Sequence, residues 1–549
     1  MSDTPTERAA GTNAGLGRAS ALMASGTLVS RVLGVVRQSM LGIVIGITGL
    51  AGDAFSVANT LPNSINLLLA GGVLNAVLVP QIIKAAKHPD GGEDYVNRLL
   101  TLSLLLMALT TALSIAAAPL LVRLYTQTES PSALHLATVF AYLCLPQIFF
   151  YGLYTLLGNV LNARNRFTAF MWAPALANVV SIAGLALFWI LGYPRGVTDP
   201  DGWTTAMIWV LAGTMTLSIV VQGIFLAIPL RRSGFRYRPR FGFRGVGLRS
   251  ASRVALWSFA GIAVGQLGFI VTSKVLTRAT DLANAQGLTA AGKFSYDNAF
   301  LLFMLPHSLV TVSLTTALFV RLAKAAHAGH TGEVLADLGR GLRMPAPLLV
   351  PISLAGVLFA PLAVFVFFGQ SRADTLAVAH LLTAMLLGLL PFGWVYLVQR
   401  VFYAYEDART PFNIQVVITI IATIFNLIGA VRPATQTGLW VGIGQTVSNA
   451  VGAGWGFWLL RRRVGRLGLT RAMRTNIRLG LASIAAGGLT YAVLRVVPES
   501  LTTNRLGALL VLGVLGSLYL AVAWAIAHRM RVREVDDLVA PIARRLARR

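Results

Sequence analysis

The sequence predicts an all-α protein that crosses a lipid bilayer about fourteen times. Three observations carry that expectation: 56% of the 549 residues are hydrophobic, only 12% are charged, and mean hydropathy is +0.70. A soluble chain of this length carries about a quarter charged residues. Half that charge, gathered around long apolar runs, excludes a soluble enzyme, a coiled coil and a disordered scaffold.

A membrane-crossing helix needs about 20 mainly apolar residues. Such runs fall at 20–47, 54–84, 99–122, 133–162, 167–193, 204–230, 254–276, 290–320, 344–369, 375–403, 411–431, 437–460, 477–494 and 506–528. The first is too long for the h-region of a signal peptide, roughly 7–15 residues, and reads as an uncleaved helix. Pro62 and Gly71-Gly72 interrupt the second run and Pro306 the eighth. Such breaks occur as ordinary kinks, or where backbone lines protein or a water-filled cavity. The single cysteine, Cys144, lies in an apolar run and reads as a small buried hydrophobe.

Basic residues set the orientation. Lys and Arg number 46 against 20 acidic residues, a net charge of +26. With the N-terminus inside, 35 of the 46 fall in cytoplasmic segments, seven in outer loops and four within spans. This follows the positive-inside rule and places both termini of a multi-pass membrane protein in the cytoplasm. The charge therefore reads as an orientation signal and an attraction to anionic membrane lipids, with no nucleic acid as partner.

Internal repeats suggest two halves. LPNSINLLLAGGVLNAVLVPQIIKAA begins at Leu61 and LPHSLVTVSLTTALFVRLAKAA at Leu305, 244 residues later. The Val160–Phe170 and Val401–Phe412 junctions repeat at nearly the same offset. The expected organisation is a tail at 1–19, an N-lobe of six spans at 20–230, a basic linker at 231–253 and a C-lobe of six spans at 254–460. A basic loop at 461–476, two further spans at 477–528 and a basic tail at 529–549 complete it. Repeats of this kind flank substrate sites in transporters.

Charges inside spans cost at least about 2.5–3.5 kcal/mol each on insertion scales. Arg31 lies about 16 Å into the first span at 1.5 Å per residue, and Arg37 is deeper still. They sit about 120° apart around the helix, which suits the wall of a wide cavity better than a narrow stripe. A structural pair with Asp53 is the plainer alternative. With no deep acidic partner in that helix, an anionic, phosphate-bearing substrate suits two guanidiniums. Lys274 is a candidate cavity cation in the second half, whereas Lys293 is expected to snorkel to the outer surface. Asn59, Asn63, Asn66, Asn75 and Ser308 add polar groups to spans 2 and 8, as interhelical bonds or ligands. There is no Walker A sequence, no deep carboxylate in spans 1–6 for a proton relay and no metal-spaced histidine cluster. The chain reads as a transporter, not an enzyme.

One series of residues is specific. Ser30-Arg31-Val32-Leu33-Gly34-Val35-Val36-Arg37 is followed by Asp53-Ala54-Phe55, by Val57-Ala58-Asn59 leading to Leu61-Pro62-Asn63, and by Val79-Pro80. It resembles the MurJ/MviN family of lipid II flippases, in the multidrug/oligosaccharidyl-lipid/polysaccharide exporter superfamily, and the resemblance extends over essentially the whole chain. It implies two six-helix repeats forming a V-shaped cationic cavity, plus two C-terminal helices beside a groove for the polyprenyl tail. It also implies a role in peptidoglycan synthesis, the cell wall and cell shape. Arg31 and Arg37 would then bind the pyrophosphate of lipid II, with Asn63 and Asn66 nearby, and Asp53 and Ser30 would belong to a gate. Departures from the common pattern are Gln38, Asn66-Leu67, Gly71 and Leu301, as in an actinobacterial-type branch, and leave Lys274 as the second-half cation. No cofactor is expected. The drive would be membrane potential or a sodium gradient, with Asp407 the only acid to nominate for an ion.

The expected function is movement of undecaprenyl-pyrophosphate-linked peptidoglycan precursor from inner to outer leaflet by alternating access. Alternatives are export of another lipid-linked oligosaccharide or a drug, or a membrane scaffold for cell-wall synthesis proteins.

Overall fold

A computed structural model describes residues 5–69, 93–164, 166–235, 237–241, 253–369 and 371–546, with side chains described from Ser25 onward except at 93, 163, 539 and 541–546. It is 86% helical, and the described residues contain no strand. The chain divides into two compact units: Met1–Gly46, Ala54–Tyr125 and Ser130–Phe259 form the first, and Ile47–Asp53, Thr126–Glu129 and Ala260–Arg549 the second.

The first unit contains α1 (Pro5–Ile45), most of α2 (Leu50–Leu69), α3 (Glu93–Ala116), α4 (Ala118–Tyr125), α5 (Pro131–Cys144), α6 (Gln147–Ala163) and α7 (Phe167–Ile190). A sixth span follows as α8 (Thr205–Ile208), a π-helical turn over Trp209–Gly213, α9 (Thr214–Phe225) and α10 (Ala227–Arg232). Val96, Leu99, Leu100, Leu156, Leu161 and Leu230 form one buried core, and Cys144 is fully buried. Beyond Arg232 the described linker residues lie along α3. The backbone N–H groups of Arg238 and Arg240 donate to Asn97 Oδ1 and Thr101 Oγ1, both at 3.1 Å.

The second unit contains α11 (Arg253–Ala285), α12 (Lys293–Pro306), α13 (Ser313–His327), α14 (Thr331–Arg343), α15 (Ala346–Phe368), α16 (Arg372–Leu387), α17 (Leu389–Ala404), α18 (Arg409–Ala430) and α19 (Ala434–Val464). It ends with α20 (Thr470–Leu494), α21 (Glu499–Thr503), α22 (Arg505–Arg529) and α23 (Arg533–Leu546). The break expected at Pro306 is present as a π-helical turn over His307–Val312 joining α12 to α13. Proline removes one i→i−4 bond and crowds the preceding carbonyl, which favours such a turn.

Among the described residues eleven helices are long and apolar enough to cross a membrane, and twelve if α16 and α17, bent by 46°, form one span. Fourteen therefore stands as an approximate number. The second expected run is described only as far as Leu69, so its Gly71-Gly72 break lies outside the described residues. The twelfth is a 31-residue helix, α19, whose glycines, amides and three terminal arginines dilute its apolar character. The stretch before span 9 is itself helical: α14 buries Val334, Leu338 and Leu342 against the α13–α17 core.

Small residues allow close helix approach where lipid supplies no hydrophobic drive between helices. At the α16–α19 crossing a Cβ on Gly442 would stand 2.7 Å from Ala384 Cβ and 2.8 Å from the Leu381 carbonyl oxygen. Gly442→Val is expected to destabilise the protein by about 1–3 kcal/mol through overpacking. A lowered midpoint in thermal unfolding of the detergent-purified protein checks this, and an unchanged midpoint contradicts it.

Candidate substrate site

Helix α1 is held along α7. Asn178 Nδ2 donates to the Ser30 carbonyl at 2.9 Å, and Gly26 abuts the Trp172 ring. At about 100° per residue, Ser30, Gly34 and Gly26 share one stripe, and Arg37 falls within about 20° of it. Arg31 lies about 100° round from Ser30. Both arginines are half-buried. The Nε of Arg37 is buried and has no hydrogen-bond partner among the described residues. Its electrostatic neighbour is the Tyr151 phenol on α6.

Buried polar atoms are nearly always paired, so an unpaired guanidinium nitrogen in a membrane helix calls for an explanation. Asn63 is exposed on α2, while Asn66 is half-buried with its Oδ1 also unpaired among the described residues. Arg31, Arg37, Asn63 and Asn66 all belong to the first unit.

Asp53 belongs to the second unit and is 4% exposed. Its carboxylate accepts from the Phe294 N–H at 2.8 Å and the Thr280 hydroxyl at 2.7 Å. It thus faces the N-terminus of α12, where backbone N–H groups and the helix dipole favour an anion. In the same place Ser295 Oγ donates to the Ile47 carbonyl at 2.6 Å, and Thr48 donates to Asp374 at 2.6 Å. The neighbouring segment Thr126–Glu129 is held similarly: Thr128 Oγ1 and the Glu129 N–H each donate to Asp281 at 2.8 Å.

Two expectations for lysines meet different outcomes. Lys293 does not snorkel: its side chain is fully buried and ion-paired with Asp297 at 2.6 Å, with its ammonium 4.8 Å from the Phe269 ring centroid. A carboxylate one turn along the helix compensates the charge in place. Lys274 is half-buried on α11. By helical position it lies on the side of α11 that carries Asp281, roughly opposite Gly265 and Thr272.

Gly265 and Thr272 line a cavity of about 380 Å³ in the second unit, together with Tyr296, Gln399, Gln415, Asn426, Gln445 and Asn449. Asn426 Nδ2 donates to Thr272 Oγ1 at 2.9 Å, and the Tyr296 hydroxyl donates to Gln445 Oε1 at 3.3 Å. No lining residue is charged, so the cavity offers amides and hydroxyls suited to sugar hydroxyls or peptide amides. Sequence reasoning passed over it, although five amides within otherwise apolar spans 10–12 were the available signal.

Asp407 accepts from the Thr410 N–H at 3.0 Å and hydroxyl at 2.8 Å, and pairs with Arg463 at 3.2 Å. Its oxygens are engaged in starting α18 and holding an arginine. No group of three or more His, Cys, Asp or Glu placed to hold a metal occurs among the described residues.

Membrane-length apolar helices, with two half-buried arginines in the first unit and an uncharged cavity of amides and hydroxyls in the second, are features of a polytopic membrane transporter. Residues 44–512 match the sequence profile of the family described as lipid II flippase MurJ. The chain belongs to that family. It is 24% identical over 498 residues to the probable lipid II flippase MurJ of Haemophilus influenzae, covering 86% of this chain and 91% of that one. It is 26% identical to the lipid II flippase MurJ of Burkholderia cenocepacia, covering 73% and 76% of the two chains. Among solved structures, a lipid II flippase MurJ in an inward closed conformation superposes with a TM-score of 0.70 at 17% identity, covering 93% of this chain and 99% of that one. An inward-facing multidrug resistance MATE family transporter of the MOP superfamily gives a TM-score of 0.57 at 19% identity, covering 80% and 96%. These likenesses establish the fold.

Proposed function

We propose that this lipid II flippase holds the pyrophosphate of its substrate on Arg31 and Arg37 and carries the headgroup from the inner to the outer leaflet by alternating access. The observation that carries this reading is the buried, unpaired Nε of Arg37 on a membrane-spanning helix. A pyrophosphate offers bidentate acceptors that satisfy such donors, and two guanidiniums together offset its charge. Asn63 and Asn66 contribute amides beside it, and Lys274 supplies the second-half cation. Asp53, bonded at the α12 N-terminus, and Ser30, bonded to Asn178, act as gate elements. The uncharged cavity around Asn426 takes the sugar and peptide part of the headgroup.

The N-lobe of 20–230 and the C-lobe of 254–460 are the moving parts, with both termini cytoplasmic. Membrane potential, worth about 2.3 kcal/mol per charge at 100 mV, suffices to bias such a cycle. Anionic lipids, and cell-wall synthesis proteins at the arginine-rich cytoplasmic segments, are the further partners.

Reconstitution tests the reading. Proteoliposomes containing lipid II with a fluorescent headgroup are expected to expose it to an external quencher without ATP. Asn426→Leu, which removes the amide that donates to Thr272, is expected to slow this exposure about tenfold, the loss that follows about 1.4 kcal/mol of binding. Exposure no faster than in protein-free liposomes contradicts the reading, and an Asn426→Leu rate equal to wild type removes the cavity from it.

A further inference from the structure

At the end of α20 that the basic-residue pattern assigns to the cytoplasm lies a cavity of about 370 Å³ lined by Arg471, Arg474, Arg478, Arg531 and Arg533, with Glu534 as its single carboxylate. On α20 the first three recur at i, i+3 and i+7, which places them within about 60° on one face. The other two arrive from the junction of α22 and α23. None of the five guanidiniums makes a hydrogen bond or an ion pair among the described residues. Glu534 does not neutralise them, because it pairs with Arg343 on α14 at 3.2 Å and accepts from Thr475 at 3.4 Å.

The junction itself is built at a conformational cost. The N–H groups of Arg531 and Val532 donate to the carbonyls of His528 and Ala527, a Schellman arrangement, with Val532 and Ala527 buried in one cluster. The residue in the left-handed conformation at such a helix end is usually glycine, yet here it is Arg531 at φ 58°. A strained residue that brings a fourth guanidinium to three others points to a use for that charge.

The neighbouring face of α20 indicates the ligand. Met473, Ile477, Leu481 and Ile484 are all exposed, and at i, i+4, i+8 and i+11 they form one apolar stripe beside the arginines. A basic pocket at the membrane surface next to a lipid-facing stripe suits a molecule with a phosphate head and acyl chains.

We infer that this pocket binds the phosphodiester of an anionic phospholipid in the cytoplasmic leaflet, its acyl chains lying along Ile477, Leu481 and Ile484. The site is separate from Arg31 and Arg37, and it stands whether or not the flippase reading does.

The test uses the full-length protein in detergent micelles, titrated with dioctanoylphosphatidylglycerol, dioctanoylphosphatidylcholine or inorganic phosphate. Saturable binding of the phosphatidylglycerol alone is expected. The triple variant Arg474→Gln, Arg478→Gln, Arg533→Gln is expected to weaken it at least about tenfold. A charge-matched control, Arg166→Gln, Arg231→Gln, Arg232→Gln, is expected to bind as wild type does. If the glutamine triple does not fold, the corresponding triple lysine variant keeps the charge and loses the planar fork, and its binding is expected to weaken severalfold. Equal binding by wild type and the folded triple variant overturns the site, as does an equal loss in the control. Inorganic phosphate binding as tightly as the lipid overturns the phospholipid as its source.

Discussion

Arg37→Ala is expected to weaken lipid II binding by the purified protein about 10- to 150-fold. One charge-assisted hydrogen bond contributes about 1.5–3 kcal/mol, and about 1.4 kcal/mol corresponds to a factor of ten. The effect is expected to be large because the site is built on a membrane helix, where the guanidinium nitrogen has no described protein partner. Arg37→Lys keeps the charge but loses bidentate geometry, and its affinity is expected between the two. Arg31→Ala is expected to act in the same direction, and the double variant to lose measurable binding. Titration of radiolabelled lipid II onto immobilised protein distinguishes these cases. Unchanged affinity in both single variants would make the arginines structural.

The second large effect is expected at Asp53. Removing its carboxylate by Asp53→Ala leaves the buried Phe294 N–H without its acceptor, whereas the Thr280 hydroxyl keeps the Leu276 carbonyl at 3.2 Å. An unsatisfied buried group costs about 1–3 kcal/mol, so this attachment is expected to weaken by about that amount. Gly292→Ala is expected to produce the same defect from the opposite side, because its Cβ would overlap Thr280 Oγ1 and both Asp53 carboxylate oxygens. Asp53→Asn retains one acceptor oxygen and is expected to be milder. Headgroup exposure in proteoliposomes, with protein amount matched, checks the series. Full activity in both Asp53→Ala and Gly292→Ala removes Asp53 from the gate.

Much of the fold was legible because a bilayer imposes simple rules. Apolar length marks the spans. Arg31 and Arg37 stood out for the same reason, since a charge in hydrocarbon is expensive wherever it lies. Lys293 was misread because its compensation depends on where Asp297 and the Phe269 ring stand in space. The polar cavity was passed over because Gln399, Gln415, Asn426 and Gln445 come from three helices and converge only after packing. Helix α14 was read as a connection because a short amphipathic helix lacks the apolar length that marks a span. The partners of Asp53 were likewise invisible, since Thr280 and Phe294 lie more than 220 residues away in sequence.

The most direct test of the central claim is complementation in a bacterium depleted of its own lipid II flippase. Wild type, Arg31→Ala, Arg37→Ala and the double variant are compared at matched membrane abundance. The account predicts that wild type restores growth and cell shape, whereas Arg37→Ala and the double variant do not. Rescue by the double variant equal to wild type would contradict a substrate site built on these arginines.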